Sequence, residues 1–147
     1  MKPDPLQKTA SYLSLAGFVP FGFLALAMLW LGPTHPLHLV LTDAFRVYAA
    51  VILSFLGGIR WGLALRQGSA NSALLVLSVI PAAIGWLSIF APPVISIGIL
   101  LLAFCAQGAW DSRAFHSDSA LIWFARIRII STLFIAGALA VALVAVK

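Results

Sequence analysis

One cysteine in 147 residues leaves no intramolecular disulfide to form. Cys105 lies in an apolar run and has no second thiolate with which to build a metal cluster. Acidic residues are nearly as scarce, Asp4, Asp43, Asp111 and Asp118 being the whole set, so general acid–base chemistry has few groups to use. The chain also lacks a glycine-rich phosphate loop, a His/Cys ligand cluster and paired carboxylates within an apolar run. These absences argue against an enzyme, and no cofactor pattern is present. A proton-coupled pump needs an ionisable group near the middle of the bilayer, and the first, third and fifth apolar runs have none at their centres.

What is there is apolar. Hydrophobic residues make up 63% of the chain and charged ones 9%, and soluble proteins run near about one quarter charged. A mean hydropathy of +1.09 leaves too little polar surface to cover a soluble domain, so lipid is the expected solvent. A net charge of +5 raises nucleic acid as a partner, but the basic residues flank apolar runs and form no dense Lys/Arg stretch. The positive-inside bias accounts for them better, and no nucleic-acid role is expected.

The pattern predicts a single all-α membrane domain over residues 1–147 with about five transmembrane helices, near 10–31, 42–65, 71–90, 94–110 and 121–146. The Gly32–Pro36 stretch breaks the first from the second, and Thr42 is read as the N-cap of the second with Asp43 in its first turn. Pro92-Pro93 separates the third from the fourth. Ala25-Leu26-Ala27 has the form of a signal-peptide cleavage site, but the apolar run continues to Leu31 and favours a retained helix. Lys2, Lys8, Arg60, Arg66, Arg113, Arg126 and Arg128 fall on one side of this topology and only Arg46 and Lys147 on the other. The N-terminus is therefore expected in the cytoplasm and the C-terminus outside. The first and third spans each carry a proline near the middle, Pro20 and Pro81; prolines are common in membrane helices, and broken transporter-like helices are the less favoured reading.

The second span carries the strongest pattern. Ala50, Ser54, Gly58 and Gly62 recur every four residues, with Gly57 beside them, forming a small-residue stripe on which another helix can pack closely. Packing, within the chain or through a homo-oligomer or membrane-protein partner, is favoured over a ligand groove. Arg60 stands six residues inside Arg66, roughly 9 Å deeper at helical rise, where a charge needs a partner or must snorkel. The topology brings Gln107, Trp110 and Asp111 to the same level, so Arg60 to Asp111 is the expected ion pair between helices. The sharper alternative is an anion or head-group site in which Arg60, Arg126 and Arg128 converge between Trp61 and Trp110. His35 and His38, ahead of Asp43, have a loose metal-like spacing, but two histidines in a proline-rich loop read as solvated surface. Asp43 and Arg46, one turn apart, are expected to pair locally.

The stretches Tyr48–Leu65, reading YAAVILSFLGGIRWGLAL, and Trp123–Thr132, reading WFARIRIIST, resemble the small multi-pass family that includes transmembrane protein 69 and its bacterial relatives. In the second stretch the family pattern has Trp-Tyr and Leu-Arg where this chain has Trp123-Phe124 and Ile127-Arg128. The resemblance covers the whole chain and implies a helical membrane fold, a bacterial inner membrane or, in eukaryotes, the mitochondrial inner membrane, and no established activity. Taken together, the expectation is a non-enzymatic packing or assembly partner of other membrane proteins in a lipid bilayer. The alternative is a binding or transport protein for a lipid, a quinone or another small amphipathic or anionic molecule, with its site around Arg60.

Overall fold

The computed structural model describes residues 4–66, 72–116 and 122–147, and the regular secondary structure among these is entirely helical. The expected helix starts at 71 and 121, and Lys2 and Asp118, lie outside the described residues. The helices are α1 (Pro5–Ala16), α2 (Phe18–Leu31), α3 (His38–Arg66), α4 (Ser72–Ser88), α5 (Pro93–His116) and α6 (Ile122–Ala145). Pro5–Leu31 forms one bent rod of 27 residues. With α3, α5 and α6 it gives four helices long and apolar enough to cross a membrane, and α4 is a shorter apolar helix of 17 residues.

The bend has a simple cause. Pro20 has no N–H to offer the carbonyl of Ala16, so the helical ladder is interrupted at Gly17. The Tyr48 hydroxyl of α3 donates to the Gly17 carbonyl (2.9 Å) and ties the bend to the bundle. Beyond the bend the two halves differ: α2 buries Phe21, Ala25 and Met28, whereas α1 buries no residue. Pro81, by contrast, sits inside a continuous α4. At the far end of α2, Gly32 adopts a φ of 72° and its N–H reaches the Met28 carbonyl (3.1 Å), a left-handed stop that favours glycine.

Around the bundle, α2, α3, α4, α5 and α6 each touch the next, α6 closes onto α2, and α3 meets α5 across the middle. Phe21 is the hub: its ring meets Phe45, Tyr48 and Phe104 edge-on at centroid distances of 5.6, 5.1 and 5.9 Å, joining α2, α3 and α5. Elsewhere the helices approach through small residues, as expected where lipid supplies no hydrophobic drive between them. Gly57 of α3 lies against the Ser78 carbonyl and Pro81 of α4, Gly85 of α4 against Ala50, and Gly108 of α5 against Thr132 of α6. The outward surface is apolar: Phe55, Leu102 and Leu133 are each about two-thirds exposed.

Thr42 is not the N-cap of α3. The helix begins at His38, just beyond Pro36, and the Thr42 hydroxyl donates back to the His38 carbonyl (2.8 Å) from its second turn. Asp43 and Arg46 do pair (3.0 Å), but that pair is one part of a larger network. Arg46, 6% exposed, also donates from Nε to Ser96 Oγ (2.9 Å) and from one terminal nitrogen to the carbonyls of Ile89 (2.6 Å) and Ala91 (2.7 Å). One guanidinium thus holds the turn between α4 and α5 onto α3. Replacing Arg46 with methionine orphans two carbonyls and Asp43, and is expected to cost of order 3 kcal/mol. A thermal-unfolding series in detergent that places Arg46→Lys between wild type and Arg46→Met would show how much of this depends on the fork rather than the charge.

Candidate site at the Arg60, Asp111 and Arg128 cluster

Three helices contribute one charged side chain each at the bundle end that holds α1. Arg60 comes from the last two turns of α3, Asp111 from the C-terminal part of α5 and Arg128 from the second turn of α6. The pair expected from sequence is present, with Arg60 Nε donating to Asp111 Oδ1 at 2.7 Å. Arg128 Nε donates to the other carboxylate oxygen at 3.0 Å, and Gln107 Nε2 reaches Oδ1 at 3.1 Å from one turn earlier on α5. The side chains of Asp111 and Arg128 are 3% and 7% exposed, so this is a buried network. The Arg60 guanidinium also lies 4.6 Å over the Trp110 ring, a cation–π contact.

The remaining sequence candidates separate from this cluster. Residues 126 and 128 are two apart and stand on opposite sides of α6, so Arg128 is buried and Arg126 exposed. Trp61 is exposed and lines a groove against Val76 and Ile80 of α4, away from Asp111. In the small-residue stripe, Ala50 and Gly57 are buried against α4 and Ser54 donates to the Ala50 carbonyl (2.9 Å). Gly58 and Gly62 face open space. His35 accepts from the Leu37 backbone N–H at Nδ1 (3.2 Å), His38 is buried, and Asp43 is engaged with Arg46.

Beside the cluster lies a feature that the sequence did not reveal. An apolar cavity of 320 Å³ runs between the first rod, α3 and α6, walled by Leu13, Phe18, Ile52, Leu56 and Phe124, and Arg128 lines it too. Its volume falls at the lower end of the about 300–1,000 Å³ usual for small-molecule sites. The two serines on its wall spend their hydroxyls on their own helices, Ser14 on the Ala10 carbonyl and Ser131 on the Ile127 carbonyl. Arg128 uses Nε for Asp111, and among the described residues its two terminal nitrogens make no hydrogen bond. A planar fork of four N–H donors therefore remains on a wall that is otherwise apolar.

Residues 6–144 match the family model described as a protein of unknown function, DUF3429. Transmembrane protein 69 of Xenopus tropicalis is 35% identical over 85% of this chain and 49% of its own length, and the Mus musculus protein is 33% identical over 86% and 51%. The chain thus spans about half the length of these curated relatives. No solved structure matches. Matched along nearly its whole length and sharing a third of its residues with transmembrane protein 69, this membrane chain belongs to the DUF3429 family of unknown function.

Proposed function

We propose that the protein is a non-enzymatic binding protein for an anionic amphipathic molecule, taking its tail into the cavity beside α1 and its head at Arg128. The carrying observation is a buried arginine, Arg128, that spends one of its donors on Asp111 and stands on the wall of a 320 Å³ apolar cavity. Buried charge of this kind is costly unless its donors are met, and a carboxylate or phosphate meets a guanidinium fork with two parallel hydrogen bonds. Arg60 and Gln107 act through Asp111, holding the carboxylate that aims Arg128. The distribution of Lys and Arg supports an orientation with this end cytoplasmic, in a bacterial inner membrane or its mitochondrial counterpart.

Native mass spectrometry with dodecanoate and dodecanol, probes of equal tail and different head, tests the reading. Dodecanoate is expected to bind the wild type at least about tenfold better than dodecanol, the worth of a charge-assisted pair. Arg128→Gln is expected to erase that preference. Ile52→Trp, which fills the cavity and leaves the cluster untouched, is expected to remove both adducts. Equal binding of the two probes, or full retention in Ile52→Trp, would overturn the proposal.

A second reading, a packing partner for other membrane proteins, draws on a different observation. At Gly58 and Gly62 an added Cβ meets nothing within 4 Å, and Phe55 and Leu65 beside them are 64% and 59% exposed. This part of α3 remains available to a helix from another chain or a second copy.

A further inference from the structure

The outward arginine of α6 belongs to a second groove, on the other side of α1 from the cavity. Gln7, Lys8, Ser11 and Tyr12 of α1 face Trp123 and Arg126 of α6 across a volume of 510 Å³ floored by Leu15 and Ile127. Lys8 and Arg126 bring one cation from each helix, and among the described residues neither forms an ion pair. Among the described residues, no acidic one lines the groove. Tyr12 and Trp123 are residue types that settle at the membrane–water boundary, with polar edges toward head groups and ring bodies toward acyl chains.

We propose that this groove is a head-group site for an anionic phospholipid of the surrounding membrane. Its phosphodiester lies between Lys8 and Arg126, and an acyl chain follows Leu15 and Ile127 toward the hydrocarbon. Three features select this occupant over a soluble anion. The cations stand on two different helices, and so suit a bulky head bridging them. An apolar floor continues from the charged end, which a free phosphate leaves unused. The flanking aromatics set the groove at the depth where lipid phosphates lie. A bound lipid would also join α1, which buries no residue of its own, to α6.

The test is native mass spectrometry of the full chain, released from mixed micelles of phosphatidylglycerol and phosphatidylcholine matched in acyl chains. Wild type is expected to retain phosphatidylglycerol in preference to phosphatidylcholine, and Lys8→Gln/Arg126→Gln to lose that preference by roughly thirtyfold, as two cations near a membrane surface contribute. Both residues are exposed, so the double variant keeps its fold, checked by an unchanged thermal midpoint. Ile52→Trp and Arg128→Gln are expected to leave the preference intact, so failure of this site is distinct from failure of the cavity. Equal retention of the two lipids by wild type, or unchanged selectivity in the double variant, would overturn the proposal. So would displacement of the lipid by millimolar inorganic phosphate, which would show a site for free anions. Crosslinking from position 126 to an acidic protein segment in place of lipid would do the same.

Discussion

Asp111→Asn is expected to be the most damaging single substitution in this protein. The change preserves shape and removes the one carboxylate that meets both Arg60 Nε and Arg128 Nε, at 2.7 and 3.0 Å. Two guanidiniums, one from α3 and one from α6 on either side of α5, would then face each other in a buried site with only a neutral amide between them. Breaking a buried pair by removing one partner costs about 3–5 kcal/mol, because the surviving charge keeps its desolvation penalty. The measurable result is a large drop in thermal midpoint and in the monodisperse fraction on size exclusion after detergent extraction. Arg60→Met and Arg128→Met each leave Asp111 with one guanidinium and are expected to fall between wild type and Asp111→Asn. Replacing all three charges with methionine or leucine is expected to recover most of the loss, since an apolar substitute for a whole buried ion network carries no orphaned charge. A fully stable Asp111→Asn would mean that the cluster contributes little to holding α3, α5 and α6 together.

The second large effect separates two neighbouring glycines. An alanine Cβ at Gly57 would run into the Ser78 backbone carbonyl of α4, which cannot swing aside as a flexible side chain can. Gly57→Ala is therefore expected to force α3 and α4 apart and to destabilise by about 1–3 kcal/mol, in the range of overpacking. At Gly58 the same methyl meets open space, and because a helix interior favours alanine over glycine, Gly58→Ala is expected to keep or raise stability, by up to about 1 kcal/mol. The two variants thus give opposite readings at one helical step. If Gly58→Leu and Gly62→Leu, folded as judged by midpoint, abolish a self-associated or partnered form seen by crosslinking in native membranes, the open part of α3 is an assembly face. If wild type is monomeric and partnerless there, that reading falls.

The stripe and the contact differ for a geometric reason. A spacing of four residues drifts around a 3.6-residue helix, so Ala50, Ser54, Gly58 and Gly62 wind off any straight neighbour. Ala50 and Gly57 are seven apart and stay nearly in line, and those are the two that α4 covers. Within the chain, then, close packing uses Ala50 and Gly57, and Gly58 and Gly62 are left open beside it. The Arg60 to Asp111 pair was legible because both groups sit near the ends of spans that the topology brings level. Assigning Arg128 and Arg126 to one cluster treated the two as neighbours in space, whereas residues two apart on a helix diverge. Arg46 was read as half of a local pair because its other partners include the carbonyls of Ile89 and Ala91, and a carbonyl leaves no mark in a sequence. Its distance from Arg60 was a usable signal all the same: two heptads, or about 21 Å along one face of the same helix. The cavity had no sequence signature, since its walls come from four helices and depend on how these pack together.

The charged cluster also constrains how the protein is made. Arg60 lies 51 residues ahead of the aspartate that neutralises it, and that aspartate 17 ahead of Arg128. At about 5–20 residues per second of synthesis, several seconds separate Arg60 from its counter-ion. During that interval the end of α3 must keep its guanidinium in the head-group layer, because the hydrocarbon offers it no carboxylate. The helix reaches its final depth only when α5 and α6 arrive, so that later hairpin is the one that seats α3. Truncation before residue 111 would leave α3 shallow in the membrane, marked as incomplete by an arginine still at the surface.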